Sequence, residues 1–475
     1  MVLSFLLFLT VFILIGISSV LLSRGTKKDY YLASSSVSPA LVGLSAVATN
    51  NSGYMFIGVI GYTYATGLAS IWLMLGWIAG DFLASTFIHS RLRVATEDTK
   101  QVSFSGVLSG WHGKKDRSLQ IIVAVISLCF LLAYAGAQLV AGSKALHVLL
   151  DWPLWSGAVL GAILVMTYCM AGGIRASIWT DAAQSVVMVV AMGTLLVFAT
   201  QSFGGPGAAI AEMQAIDGFM DWFPGDLIIP GLLGGLVFAV GWTFAGLSVI
   251  GQPHVMVRFM TLSDSGQMWR ARLWYYLWFT GFYAMATGVG LLSRIYLADP
   301  GTFDAELALP TMALELLTPF GTGIVLAGIF AATISTADSL VLSCSSAVTH
   351  DLLPQKIEKP ILLKIATGLI TLIALAWALL NQQSVFNLVI MAWSGLASAF
   401  APLLIVLCLG GRPQRGVAIT AIFTGLAVAL LWRFIGWHAA VYEGMPGILA
   451  GLAVLGLGLA IACPAKSADS AKPAA

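Results

Sequence analysis

Ala48-Thr49-Asn50-Asn51-Ser52-Gly53 interrupts an apolar stretch of the chain, between Leu41–Val47 and Tyr54–Ile60. Amide and hydroxyl side chains compete for backbone hydrogen bonds, and glycine weakens helical geometry. Irregular backbone at membrane depth is tolerated only where it faces protein or a watery cavity. The stretch therefore predicts either an unwound point whose free carbonyl groups bind a ligand, or a polar seam between helices, since small residues also line such contacts.

The composition places this stretch in a helical membrane protein. Of the 475 residues, 59% are hydrophobic and only 9% are charged, whereas soluble domains carry about 25% charged residues. Apolar segments long enough to cross a bilayer as helices, about 20 residues each, recur along the chain. The pattern predicts an all-α polytopic membrane protein with about 13 transmembrane helices.

Basic residues concentrate in alternate loops between the predicted spans. One set of loops contains most of the arginines and lysines, for example Arg91, Arg93 and Lys100, and the other set contains the acidic segment with Glu212 and Asp217. Basic loops stay in the cytoplasm. This distribution predicts a multi-pass protein of the cytoplasmic (inner) membrane with its N-terminus outside and its C-terminus in the cytoplasm.

A second interruption, Gly251-Gln252-Pro253-His254, lies in the seventh predicted span, five spans after the first. Proline within a helix removes a backbone hydrogen bond and bends or breaks the helix. Corresponding discontinuities in two halves of a chain indicate a transporter binding site, and an odd separation implies halves of opposite topology. The alternative is a purely structural proline kink.

The ninth predicted span carries Ser335, Asp338 and Ser339, which share one helical face. A carboxylate in a span is costly and usually functional, and hydroxyl and carbonyl oxygens suit a hard cation; each serine could also bond only its own helix. Asp181 is either a cation ligand or a partner of Arg175. Asp81, in the third predicted span, is either a functional carboxylate or a structural hydrogen-bond acceptor, and the sequence favours neither interpretation.

Several stretches together resemble the sodium/solute symporter family, most closely its sodium/proline symporter branch. They are Asp29-Tyr30-Tyr31-Leu32, Leu44-Ser45-Ala46, Asn51-Ser52-Gly53, Trp179-Thr180-Asp181, Gly251-Gln252-Pro253-His254, Arg258-Phe259-Met260, Ile334-Ser335-Thr336 and Cys344-Ser345-Ser346. The resemblance implies a LeuT-like inverted repeat of five plus five helices. The implied segments are an accessory helix and loop (1–37), repeat 1 (38–201), an external loop (202–229), repeat 2 (230–410), two accessory helices (411–464) and a disordered cytoplasmic tail (465–475).

The resemblance also implies the site residues. A sodium site would use the carbonyl groups of Ala48, Asn51 and Ala332 with the hydroxyl groups of Ser335 and Thr336. Asp181, Ser335 and Ser339 match the pattern of a second cation site found in some members. Asp338 stands where serine is usual, so a proton or another sodium ion could bind there with Asp181, Asp338 and Ser339. The solute-binding residues would be Asn50, Ser52, Gly53, Tyr54, Tyr134, Ala245, Val249, Pro253 and Trp393.

This chain departs from the proline branch at the implied solute pocket. Asn50 stands where that branch has aspartate, Tyr54 where it has tryptophan, and Ala245 and Val249 where it has aromatic residues. The predicted function is sodium-coupled symport of a small organic solute by alternating access, the solute being an amino acid such as proline or a related zwitterion or carboxylate. The alternative is a transporter-like membrane sensor acting through a partner chain. The sequence contains no HExxH or GxSxG motif of an enzyme, and no nucleic-acid partner is expected.

Overall fold

The computed structural model describes residues 1–227, 229–297, 303–353, 357–381 and 384–462. Within these residues the chain is helical apart from turns, loops and an isolated bridge between Val37 and Leu262. The tail predicted to be disordered, residues 465–475, lies outside the described residues.

The long helices are numbered here in chain order. They are α1 (Val2–Ser18), α2 (Pro39–Asn50, Ser52–Phe56 and Gly58–Thr66), α3 (Ile71–Thr99), α4 (Arg117–Leu150), α5 (Leu154–Gly172), α6 (Ile174–Ser202), α7 (Gly231–Leu247, continued after a break by Pro253–Met260), α8 (Met268–Tyr296), α9 (Pro319–Ser346), α10 (Pro360–Leu380), α11 (Val385–Cys408), α12 (Arg415–Phe434) and α13 (Gly444–Ala462).

Among the described residues, 11 helical stretches are long and apolar enough to cross a membrane. One of these stretches, Ser52–Thr99, contains both the end of α2 and the whole of α3. The helix α8 has 29 residues but carries Arg270, Arg272 and Arg294. Counting α2 and α3 separately and adding α8 gives 11 + 1 + 1 = 13 helices, in agreement with the sequence prediction.

The most enclosed helices are α9 and α11. In their most apolar 18-residue stretches, 94% and 89% of the residues are buried inside the protein. The helix α9 packs against α4, α6 and α1, and it contacts both halves of the α2 break. By contrast, only 28% of the most apolar 18-residue stretch is buried in each of α1, α12 and α13. The interior therefore centres on α9, α11 and the broken segments of α2 and α7, while α1, α12 and α13 lie at the periphery.

The helices α3 and α7 touch backbone to backbone through glycine residues. A Cβ atom at Gly80 would lie 1.9 Å from the Thr243 carbonyl oxygen, and one at Gly246 would lie 2.0 Å from the Trp77 carbonyl oxygen. Small residues of this kind allow membrane helices to approach closely. We name this contact, formed by Gly80 and Gly246, the α3–α7 seam.

Two short helices lie between the long ones. One is Ala308–Leu316, which lies between α8 and α9. The region 202–229, predicted as a loop, contains the helix Pro206–Gln214. Pro206 occupies the first turn of this helix, where its missing N–H has no intrahelical role, so it starts a helix instead of breaking one.

Candidate ion and solute site

The first break in α2 falls at Asn51. This residue has φ −87° and ψ 8°, and it separates Pro39–Asn50 from Ser52–Phe56. Side chains take over the backbone bonding there: the Gly53 amide donates to Gln138 Oε1 at 2.8 Å, and the Tyr54 amide donates to Ser52 Oγ at 3.1 Å. The polar stretch is therefore an interruption of the helix; that its carbonyl groups bind a ligand stays a prediction.

Hydroxyl groups of α9 meet the carbonyl groups at this break. Ser335 Oγ lies 3.2 Å from the Ala48 carbonyl oxygen and 3.0 Å from the Ala332 carbonyl oxygen. Thr336 Oγ1 donates to the Thr49 carbonyl oxygen at 2.9 Å. These residues are all buried. The oxygen atoms of α2 and α9 thus form a neutral donor set of the kind that a hard monovalent cation requires.

The side chain of Asn51 bonds within its own helix, and the sodium ligand predicted for this residue is its carbonyl group. Its side-chain Nδ2 donates to the Val47 carbonyl oxygen at 2.9 Å, within the same helix. Ala48, Ala332, Ser335 and Thr336 are joined across two helices, whereas the side chain of Asn51 stabilises the end of one helix.

The second break lies at Gln252, whose extended backbone has φ −97° and ψ 100°. Gln252 Nε2 donates to the Ser248 carbonyl oxygen at 3.1 Å and to the Trp393 carbonyl oxygen at 2.8 Å. In return, Trp393 Nε1 donates to the Ala245 carbonyl oxygen at 2.9 Å. The break in α7 is therefore held by α11, and the sequence prediction of an interruption at Gly251–His254 agrees with the structure.

Several predicted solute residues come together between the two breaks. Tyr134 Oη donates to Ser52 Oγ at 3.2 Å. The ring of Tyr54 lies 5.6 Å from that of Trp77, which lies 5.5 Å from that of Trp393. Because the Trp393 side chain also bonds the Ala245 carbonyl group, these five predicted residues (Ser52, Tyr54, Tyr134, Ala245 and Trp393) belong to one polar and aromatic cluster with Trp77.

The remaining predicted solute residues have other surroundings. Gly53 is packed so closely that an added Cβ atom would lie 2.5 Å from Thr333 Cγ2. Val249 is buried in the turn before Gln252. Pro253 lines a separate cavity of about 30 Å³ with Tyr31 and Asp351. Asn50 turns away from the cluster toward α3 and α8, where it meets Asp81 and Tyr275.

Three polar residues beside the predicted cluster were not among the predicted solute-binding residues. Gln138, Gln252 and His254 are fully buried. Among the described residues, Gln138 Nε2, Gln252 Oε1 and both ring nitrogen atoms of His254 have no hydrogen-bond partner. Buried polar groups are normally hydrogen-bonded, so these atoms can serve a bound molecule. Only Gln138 had a separate signal in the sequence, because a glutamine within the long apolar run of α4 indicates a functional position.

The predicted second cation site surrounds an arginine side chain. Arg258 Nη2 lies 3.4 Å from Asp181 Oδ2 and 3.6 Å from Asp338 Oδ1, and all three side chains are fully buried. Arg258 also hydrogen-bonds Ser339, and Ser177 Oγ donates to Asp338 Oδ1 at 2.8 Å. Asp181, Asp338 and Ser339 therefore do meet, around a guanidinium group that sequence reasoning did not place there.

The suggested pairing of Asp181 with Arg175 is wrong. Arg175 Nη2 lies 2.7 Å from Asp29 Oδ1, on the short helix Lys27–Leu32. Burial alone would raise the pKa of Asp29, but hydrogen bonds from the Arg24 amide, Arg175 and Ser34 hold the pKa of this carboxyl group below its usual value. Arg175 was nearer to Asp181 in sequence, but the fold brings it to an earlier, shorter helix.

Two helices broken five helices apart, meeting α9 and α11 at the centre of an all-helical membrane protein, define the LeuT-like class of secondary active transporters. The solved structure of a Na⁺-coupled sialic acid symporter in its substrate-bound outward-open state superimposes with a TM-score of 0.78 at 18% identity, covering 96% of this chain and 97% of that chain. MhsT in complex with L-phenylalanine gives a TM-score of 0.57 at 14% identity, covering 90% and 98%.

The model of the sodium:solute symporter family matches residues 30–425. The chain belongs to the sodium:solute symporter family, and it is a sodium-coupled symporter of a small solute, not an enzyme. The high-affinity proline transporter PutP of Bacillus subtilis is 27% identical over 437 residues, covering 89% of this chain and 90% of the relative. The sodium/proline symporter of Escherichia coli is 28% identical over 446 residues, covering 90% and 87%.

Proposed function

We propose that this protein uses sodium to accumulate a small zwitterionic solute of the amino-acid class, such as proline or a related carboxylate. Sodium is bound by the carbonyl groups of Ala48, Asn51 and Ala332 and the hydroxyl groups of Ser335 and Thr336. The observation that carries this assignment is Ser335 Oγ, which lies within 3.2 Å of the Ala48 carbonyl oxygen and 3.0 Å of the Ala332 carbonyl oxygen. One hydroxyl group thereby joins the break in α2 to α9.

The position of this oxygen set supplies the coupling. The residues belong to the two segments that we assign to repeat 1 (38–201) and repeat 2 (230–410). A cation between them stabilises the arrangement in which α2 and α9 are close, and it shifts the equilibrium only by its difference in affinity for the two states. Entry of one positive charge across 100 mV releases about 2.3 kcal/mol, and a tenfold sodium gradient adds about 1.4 kcal/mol. Together they support accumulation of a neutral solute by roughly several hundredfold.

The free polar atoms support a zwitterion as the solute. Gln138 Nε2 is a donor suited to a carboxylate, and Gln252 Oε1 is an acceptor suited to an ammonium group. Tyr54, Trp77 and Trp393 provide apolar area for a small side chain or ring. The named proline transporters among the relatives are consistent with this class.

We assign the protein to the cytoplasmic (inner) membrane with the N-terminus outside. The side that carries the loops with Arg91, Lys100 and Lys114 faces the cytoplasm by the positive-inside rule. The ring of Phe386 stacks on those of Tyr54 and Tyr62, at 5.4 and 5.1 Å between centroids, on the opposite side. These three rings then close the path from the outside.

Uptake into proteoliposomes tests the proposal. With sodium outside and a negative interior potential, radiolabelled proline or another zwitterion from an amino-acid panel should accumulate against its gradient. Replacing sodium with potassium should abolish accumulation. Binding of a solute without sodium-driven accumulation would instead favour the sensor acting through a partner chain.

A further inference from the structure

Asp81, near the middle of α3, is surrounded by side chains that donate hydrogen bonds to it. Tyr275 Oη donates to Asp81 Oδ2 at 2.6 Å, and Tyr276 Oη donates to Asp81 Oδ1 at 2.7 Å. Asn50 Nδ2 donates to Asp81 Oδ2 at 3.3 Å. The Asp81 side chain is fully buried. All three donors are neutral, so they orient the carboxylate without cancelling its charge.

Most other buried carboxylates among the described residues have cationic partners; Asp351, which neutral donors hold, is the exception. Asp181 and Asp338 share Arg258, Glu306 pairs with Lys144, and Glu443 pairs with Arg433. Asp81 forms no ion pair within the part of the chain that the structure describes. A buried and unpaired carboxylate is energetically expensive, so a charge at this position calls for a cation.

Asp81 is hydrogen-bonded to the residue that precedes the α2 break. Asn50 is the last residue of the first α2 segment, and its Nδ2 contacts both Asp81 and Tyr275. Its Oδ1 is buried and has no hydrogen-bond partner among the described residues. Asp81 therefore places a negative charge one side chain away from position 50, which is itself neutral in this chain.

We propose that Asp81 is a further monovalent-cation position of the transporter, apart from the cluster around Arg258, that it takes a hydrogen ion or a sodium ion, and that it supplies to the break in α2 the negative charge that Asn50 lacks. The proposal rests on the sodium-coupled function and goes beyond it, because the set formed by α2 and α9 contains no carboxylate. A cation at Asp81 neutralises the buried charge and removes its attraction for the Asn50 amide and the two tyrosine hydroxyl groups. Binding of a cation at Asp81 is thereby linked to the position of the first α2 segment.

The ionisable groups that face Asp81 are few. From α8 they are Tyr275, Tyr276 and Arg272, and Arg272 Nε donates to Ser85 Oγ at 3.0 Å. Ser85 Oγ in turn lies 2.7 Å from Tyr276 Oη, so two hydroxyl groups lie between the guanidinium group and Asp81. His89 on α3 is stacked on Phe259. The segments Pro39–Asn50 and Gly231–Leu247 contain no ionisable side chain.

The first experiment replaces Asp81 by asparagine and follows uptake in proteoliposomes at several sodium concentrations and external pH values. Asp351→Asn is the matched control, because Asp351 is another buried carboxylate held by neutral donors, Ser103, Ser105 and Gln120. If the ion is sodium, Asp81→Asn should raise the half-saturating sodium concentration at least tenfold. If it is a hydrogen ion, the variant should keep the sodium dependence of the parent and lose its pH dependence. Asp351→Asn should do neither.

Two further variants separate charge from structure. The exchange Asn50→Asp with Asp81→Asn returns a carboxylate to the break and should bring the ion dependence back to within threefold of the parent protein. Tyr276→Phe keeps the carboxylate but removes one of its donors, so the same ion should bind more tightly, opposite to the effect of Asp81→Asn. This second variant also tests the proposal if Asp81→Asn does not fold.

The proposal is overturned if folded Asp81→Asn transports with unchanged sodium and pH dependence, or if the variant alters only the half-saturating solute concentration. It is also overturned if the exchange variant folds but recovers nothing, or if Tyr276→Phe leaves the ion dependence unchanged. In each of these cases the parent protein still accumulates solute with sodium, so the result is distinct from failure of the proposed function.

Discussion

Glu306 Oε1 accepts the backbone amide of Phe386 at 2.9 Å. The same carboxylate accepts the Ser384 hydroxyl group at 2.8 Å and lies 2.5 Å from Lys144 Nζ on α4. Glu306, in the short 3₁₀ helix Ala305–Leu307, thus caps the first turn of α11 and links it to α4. Because the Phe386 ring covers Tyr54 and Tyr62, Glu306 holds the aromatic cover over the candidate solute site.

Replacing Glu306 by glutamine should loosen this cover. The change keeps one acceptor but loses the charge-assisted bonds, which are roughly twice as strong as neutral ones. We expect a lower midpoint of thermal unfolding in detergent, by a few degrees, and a larger decrease for Glu306→Ala. Glu212→Gln, on an exposed segment, should leave the midpoint unchanged. Equal midpoints for Glu306→Gln and the parent would show that this cap is dispensable.

Ser335→Ala and Thr336→Ala should weaken sodium dependence more than folding. Each variant removes a hydroxyl group that joins α9 to a carbonyl group of α2. The half-saturating sodium concentration for uptake should rise at least tenfold, which corresponds to about 1.4 kcal/mol. Thr322→Ala is the control, because this α9 hydroxyl bonds the carbonyl groups of Thr318 and Ala313, away from α2. Normal transport by both variants at low sodium would refute the site assignment.

Gly80→Ala should disrupt the α3–α7 seam. The added Cβ atom would lie 1.9 Å from the Thr243 carbonyl oxygen, and backbone cannot yield as a flexible side chain can. Overpacking of this kind costs about 1–3 kcal/mol, so the thermal midpoint should fall. Gly281→Ala on α8, with no atom within 4 Å of its added Cβ, should leave the midpoint equal or higher. A parent-like midpoint for Gly80→Ala would mean that the helices separate easily.

Asp338→Asn should change ion coupling through Arg258. Two carboxylates and one guanidinium group give this cluster a formal charge of −1, and the substitution brings it to zero. We expect a changed ratio of current to solute flux, or a changed pH profile of uptake, measured in proteoliposomes. Ser177→Ala removes a donor to Asp338 without changing the charge and should alter the ratio less. An unchanged ratio and pH profile in Asp338→Asn would assign Asp338 a structural role.

The helical fold and both helix breaks could be predicted because their causes are local. Asn51, Ser52 and Gly53 disfavour a continuous helix wherever they occur together, and Pro253 removes a backbone donor. At Pro206 the position of proline decides its effect, because this residue lies in the first turn of a helix and does not break it. Local chemistry therefore identifies interruptions more reliably than it identifies what surrounds them.

The pairings across the bundle could not be read from the sequence. Arg258 lies 77 residues from Asp181 in sequence and meets it only after α6 and α7 have packed. Asp81 and Tyr275 are 194 residues apart, and neither residue indicates the other. The family resemblance supplied Ser335 and Thr336, but it offered no guidance for Asp81, Gln138 or the orientation of Asn50.

The α3–α7 seam has a mechanical consequence. Where two helices touch through their main chains, no layer of side chains separates them, so we expect α3 and α7 to move together. This pair includes Trp77 and Asp81 on α3, and its α7 segment leads into the break at Gln252. A tilt of the first α7 segment at the Gln252 break would therefore also move Asp81, which is hydrogen-bonded to Asn50 beside the α2 break.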